Sequence, residues 1–144
     1  MQSFRDLKVW QAGMTLTVSI YELTANFPKS EVYGLMQQMR RAAVSIPSNI
    51  AEGYGRRTAK QRYNFLENAL GSVFELETQL DLSFRLSYIT PDQFDSLSSA
   101  IRNLGRGLSA LMRYVENEAR AQPARHSIAN PPEELRGTPR NPRN

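Results

Sequence analysis

The sequence predicts an all-α protein, an antiparallel up-down four-helix bundle. Three observations carry this. Apolar residues recur at steps of three and four along four separate segments. Short connections with capping residues divide those segments. No segment alternates apolar and polar residues with period two over a useful length, so no sheet is expected.

The first helix is expected from about Phe4 to Asn26, stopped by Phe27-Pro28. The second follows Ser30, a residue suited to an N-cap, and runs to about Tyr54 before Gly55. Its apolar stripe is Val32, Leu35, Met39, Ala42, Ala43, Ile46 and Ile50. Pro47 lies inside it and removes one backbone donor, so a kink or a split is expected there. The third helix starts after Thr58 and continues to about Leu86, with Leu66, Ala69, Val73, Leu76, Leu80 and Phe84 on one face. The fourth opens with Thr90 as N-cap and Pro91 at the first helical position, and ends near Glu118. Phe94, Leu97, Ile101, Leu104, Leu108, Leu111 and Val115 form its stripe.

Residues 1–119 are therefore expected to form one bundle domain. The chain is long enough for an independent core. Residues 120–144 carry Pro123, Pro131, Pro132, Pro139 and Pro142 and few apolar side chains. A Pro/Arg-rich disordered tail is expected there, because little burial is available to offset ordering entropy. Its five arginines against Glu133 and Glu134 hold most of the net charge of +4.

Composition narrows the chemistry. With no cysteine there are no disulfides and no thiolate metal ligands, which fits a reducing cytoplasm. His126, the one histidine, falls in the tail, so neither a Ser-His-Asp triad nor a usual zinc set is expected. No cofactor and no catalytic residue is read from the chain. Glu75 and Glu77 stand two apart on a helix and point in different directions, a poor carboxylate pair. Gly53-Tyr54-Gly55 reads as a helix C-cap and turn rather than a dinucleotide fingerprint. No apolar run is long enough to span a membrane, and the opening MQSFRDLKVWQ has no signal-peptide core.

Helix one has two apolar stripes. Leu7, Trp10, Met14, Val18 and Tyr21 form one; Val9, Leu16, Ile20, Leu23 and Phe27 form the other. Helical spacing puts them on nearly opposite faces. A peripheral helix buries only one face in its own bundle, so the other predicts self-association. Val9, Leu16, Ile20, Leu23 and Phe27 are the expected oligomer interface.

Arg41, Ser45, Asn49 and Glu52 share one flank of helix two, and an antiparallel third helix would bring Glu67, Ser72 and Glu75 within reach. The structural reading is a polar network of Arg41, Ser45, Asn49, Glu52, Ser72 and Glu75 that fixes helix register, for example through an Arg41–Glu75 pair. The functional reading is a small-molecule pocket or an acid–base site. Arg56, Arg57, Lys60 and Arg62 cluster at the turn between helices two and three, beside Tyr54 and Tyr63. Basic side chains with neighbouring aromatics suit phosphate neutralisation and base stacking. The bland reading is a solvated turn.

In order along the chain, FRDLKVWQ from Phe4, Phe27-Pro28 with Glu31-Tyr33-Gly34-Leu35, QMRRAAVSIPSNIAEG from Gln38 to Gly53, and Ala69-Leu70-Gly71-Ser72 with Glu75-Leu76-Glu77-Thr78 resemble one family's pattern. It is the four-helix bundle protein family of bacterial large-subunit ribosomal RNA intervening sequences. The match covers roughly residues 4–118, and the tail has no counterpart. The resemblance implies an up-down bundle assembling as a homopentamer, with no established reaction. Distant relatives include accessory proteins of diversity-generating retroelements, which associate with a reverse transcriptase and nucleic acid. Two functions stand from this reading: a non-enzymatic oligomeric module binding RNA or DNA, or a small-molecule binder or enzyme built on the polar row.

Overall fold

A computed structural model describes residues 3–121 and 130–139. Four helices make the body: α1 (Lys8–Thr24), α2 (Leu35–Tyr54), α3 (Ala59–Arg85) and α4 (Pro91–Ala121). Among the described residues there is no strand, only an isolated bridge between Leu7 and Arg136. The stripes of the four helices merge into one core around Ile20, Met39, Ile46, Leu66, Leu76 and Leu108. α2 and α3 pack most extensively, and α1 and α4 meet less than α1 and α2 or α3 and α4 do.

Local chemistry sets the boundaries. The first helix begins later than its periodicity suggests. Ser3 accepts a bond from the Arg5 amide and opens a short 3-10 turn at Phe4–Asp6, and Leu7 is extended before α1 starts. Ser30 is not the N-cap of α2. It sits in a 3-10 turn, Lys29–Glu31, and Glu31 does the capping. One carboxylate oxygen of Glu31 accepts the Leu35 amide at 2.8 Å, and the other accepts the Tyr88 hydroxyl at 2.9 Å. Thr58 caps α3 through the Gln61 amide. Thr90 and Gln93 exchange side chain-to-backbone bonds, a capping box at the start of α4.

Pro47 does not split α2, which continues through it. It lies against Gly13 of α1, where an added Cβ would sit 3.5 Å from the proline ring. Farther along the same seam, Arg40 donates to the Thr24 hydroxyl and the Tyr21 carbonyl, holding the end of α1 to α2.

The expected oligomer interface is corrected by burial. Val9, Leu16, Ile20, Leu23 and Phe27 are all buried within the single chain, so they are not its free face. Gly13 and Thr24 lie on that same side of α1 and let α2 approach. The apolar residues left in solvent come from the other stripe: Met14, Val18 at 56% exposure, and Tyr21. Leu7 of that stripe is buried.

The expectation of a disordered tail does not hold for residues 130–139. Residues 130–139 fold back on the bundle. Pro131 is buried, Leu135 packs on the core, and Gly137 donates to the Asp6 carbonyl at 2.7 Å. The helical body itself extends to Ala121, past the expected boundary at 119. Residues 122–129, with His126, and 140–144 lie outside the described residues.

Candidate nucleic-acid interface

α2 ends at Gly55 and α3 begins at Ala59, so Arg56, Arg57 and Lys60 sit at one tight turn. All three side chains are exposed. Gly53 makes the turn tight: a Cβ there would come within 2.9 Å of the Phe65 Cβ. The Arg56 guanidinium lies 4.7 Å from the centre of the Phe65 ring, which orients it without neutralising it. Gly55, Arg56, Arg57, Thr58 and Gln61 line an open hollow of about 380 Å³. The hollow faces the N-terminal end of α3, where the helix dipole adds positive potential.

Arg62 does not belong to this surface. It is 5% exposed, with its guanidinium 3.7 Å from the centre of the Tyr54 ring and its Nε 3.5 Å from the Gly53 carbonyl. Burial pushes its pKa below the usual arginine range, while Tyr54 and Glu118 draw it back. Burial likewise raises the Tyr54 hydroxyl far above the usual tyrosine range, against the pull of Arg62. Burial, then Glu118, raises Tyr114, whose hydroxyl donates to the Asn130 carbonyl at 2.6 Å. Arg62 thus holds the start of α3 to the end of α2 through Gly53 and Tyr54. The sequence did carry a signal: Arg62 precedes Leu66, Ala69 and Val73 at helical spacing, so it continues the buried stripe of α3.

The polar row divides into two sets. The Ser45 and Ser72 hydroxyls lie 2.8 Å apart across α2 and α3. Asn49 donates to the Ser45 carbonyl at 2.8 Å and to its hydroxyl at 2.9 Å. Arg41, Glu52 and Glu75 are exposed, and no ion pair joins Arg41 to Glu75 among the described residues. The expected network is therefore a neutral trio of Ser45, Asn49 and Ser72, with the three charges outside it. Arg41 and Ser45 of the row line an open hollow of about 540 Å³ with Tyr21, Met36 and Arg40, while Glu52 and Glu75 do not line it.

Sequence reading missed a second basic feature. Arg102, Arg106 and Arg113 line a shallow hollow of about 360 Å³ between α3 and α4, with exposed Phe74 on its rim. Their spacing on α4 puts them in one row. Arg102 stands 3.7 Å from Glu77, an exposed and weak pair. Among the described residues no group of three or more His, Asp or Glu side chains is placed to hold a metal ion. No described helix is long and apolar enough to cross a membrane.

Fold and surface together define an all-α helical bundle protein with a basic inter-helix turn. The chain belongs to the 23S rRNA-intervening sequence protein family, whose model matches residues 5–110. It is similar to the crystal structure of a protein of unknown function from the S23 ribosomal protein family of Bacteroides thetaiotaomicron. The two are 25% identical, with a TM-score of 0.66 over 72% of this chain and 97% of that one. No curated protein matches the chain.

Proposed function

We propose that the chain is a non-enzymatic, homo-oligomeric four-helix module that contacts RNA or DNA through the α2–α3 turn. The observation that carries this reading is the outward placement of Arg56, Arg57 and Lys60 around the start of α3. Three exposed cations at a helix N-terminus suit a phosphate backbone. Phe65 beneath Arg56 keeps one of them in place.

In this reading the helices run antiparallel. Gly53, Ser45 and Met39 of α2 meet Arg62, Ser72 and Ser83 of α3 in that order. Self-association is supported by the apolar face of Met14, Val18 and Tyr21, which continues onto Val32 and Tyr33 in the connection before α2 and onto Val44 of α2. Phe74 and Leu82 of α3 give a second exposed apolar surface elsewhere on the chain. Two different surfaces suit head-to-tail pairing, which closes into a ring when the rotation allows. Five copies is the number that the family resemblance implies. A ring would repeat the basic turn and raise avidity.

An electrophoretic mobility shift with structured RNA and with single-stranded DNA tests the reading. A shift at low salt that weakens with added salt and with Arg56→Glu/Arg57→Glu is expected. Absence of a shift with either nucleic acid at low salt would refute it.

A further inference from the structure

Residues 130–139 lie far from α1 in sequence, yet they are held against it by contacts of a distinctive kind. Most address backbone atoms. The Gln11 side-chain amide donates to the Thr138 carbonyl at 3.0 Å and accepts from the Thr138 amide at 3.0 Å. A primary amide thus pairs with both polar groups of one residue, as a neighbouring strand would. Gln11 itself is steadied by donating to the Arg5 carbonyl at 2.9 Å. Next along the segment, the Gly137 amide bonds the Asp6 carbonyl at 2.7 Å, and Arg136 forms the bridge to Leu7. At the far end, Tyr114 of α4 donates to the Asn130 carbonyl at 2.6 Å.

Two side-chain features add selectivity. Leu135 lines a hollow of about 640 Å³ between α1 and α4, together with Val9, Leu16, Leu104 and Leu111. Gly137 passes so close to Gln11 that a Cβ there would collide with the side-chain amide group. Any other residue at this position forces either the strap or the Gln11 amide away, and both break the pairing. The segment is also pre-folded. Arg136 Nε donates to the Pro131 carbonyl at 2.9 Å, and a 3-10 turn at Glu133–Leu135 aims Leu135 at the bundle. The family match stops at residue 110, so this strap lies outside the part of the chain that the family model matches.

Backbone pairing for affinity, one aliphatic pocket for identity and one position where glycine leaves the Gln11 pairing undisturbed are the parts of a peptide-recognition site. We propose that the ledge of residues 5–11, with the α1/α4 groove and Tyr114, is a recognition site for an extended peptide carrying Leu-x-Gly between prolines, and that residues 130–139 are its tethered ligand. The tether gives the strap a high effective concentration, so a free peptide competes poorly with it in the intact protein. The inference does not depend on the nucleic-acid reading, since it uses none of the turn residues.

The test uses the full chain and a fluorescein-labelled peptide with the sequence of residues 130–139. Three proteins are compared by fluorescence anisotropy: wild type, Gly137→Val, and Leu135→Asp. Both variants alter the strap and leave the ledge intact. They are expected to bind the peptide at least about tenfold more tightly than wild type. Adding Gln11→Ala to Gly137→Val should remove that gain. Hydrogen exchange should speed up at the residue 138 amide in both strap variants, and circular dichroism should show the helices retained. Equal peptide binding by all three proteins would overturn the proposal. So would helix loss in both strap variants, because the segment would then be part of the fold rather than a ligand of it.

Discussion

Thr17 of α1 presents its hydroxyl to the carbonyl that Pro47 of α2 leaves without a helical donor, sharing its one proton with the Gly13 carbonyl. In a regular helix the amide of residue 47 would donate to the Ala43 carbonyl, but proline has no N–H. The Thr17 hydroxyl lies 3.1 Å from that carbonyl and 2.7 Å from the Gly13 carbonyl of its own helix. A proline inside α2 is thus tolerated because the neighbouring helix brings a donor, and Gly13 leaves room for the ring.

Thr17→Val should therefore destabilise the protein by about 1–2 kcal/mol, since it leaves a partly buried carbonyl short of a partner. The double-mutant cycle with Pro47→Ala is the sharper check. Alanine restores the N–H, so Thr17→Val should cost less in that background, with a coupling of at least about 0.5 kcal/mol in urea unfolding. Additive effects would refute the pairing.

Arg62 and Arg56 should behave in opposite ways. Arg62→Ala removes a buried guanidinium from the Tyr54 ring and the Gly53 carbonyl, and should cost about 2 kcal/mol. Arg56→Ala removes an exposed one and should change stability by no more than about 0.5 kcal/mol, while weakening nucleic-acid binding. Thermal melts of the two variants, beside mobility shifts, check both halves.

The helices were legible because their apolar stripes are long and regular, as in Leu66, Ala69, Val73, Leu76 and Leu80 of α3. Their starts were less so. Ser30 has the composition of a cap, but Glu31 reaches over one turn to bond the Leu35 amide, and its other carboxylate oxygen accepts from Tyr88, 57 residues away. The buried face of α1 could not be chosen from hydrophobicity, since both stripes are apolar. Gly13, in step with Val9 and Leu16, was the missed sign of close helix approach. Of the basic cluster, Arg56, Arg57 and Lys60 were placed on the surface as expected, whereas Arg62 was read by charge and not by its position in the stripe. The strap left no local trace, because its partners Asp6 and Gln11 lie more than a hundred residues away.

Tyr54 should make the fold sensitive to alkali. An unfolded tyrosine releases its proton near pH 10. Buried Tyr54 holds its proton to higher pH. Above about pH 10 the folded state therefore binds more protons than the unfolded one, and stability falls as pH rises. The contribution is fully present below that pH. Tyr54→Phe keeps the ring under Arg62 and removes the titration. Its urea midpoint should fall less steeply between pH 10 and 11 than that of wild type; parallel slopes would contradict the assignment.

The two faces of α1 separate folding from assembly. Leu16→Glu places a charge in the core and should unfold the chain. Val18→Glu places one on the exposed stripe and should leave the helices intact while lowering the mass seen in sedimentation to that of a single chain. An unchanged mass for Val18→Glu would exclude this face as the contact between copies.

The most direct test of the account is the salt dependence of RNA binding. Anisotropy of a labelled single-stranded RNA is measured across a salt series for wild type and for Arg56→Glu/Arg57→Glu/Lys60→Glu. Wild-type affinity should fall linearly on a log–log plot, and the triple variant should lose about two units of slope, the counterion release of three phosphate contacts. Tight binding whose slope is the same in both proteins would contradict the assignment of the α2–α3 turn as the nucleic-acid contact.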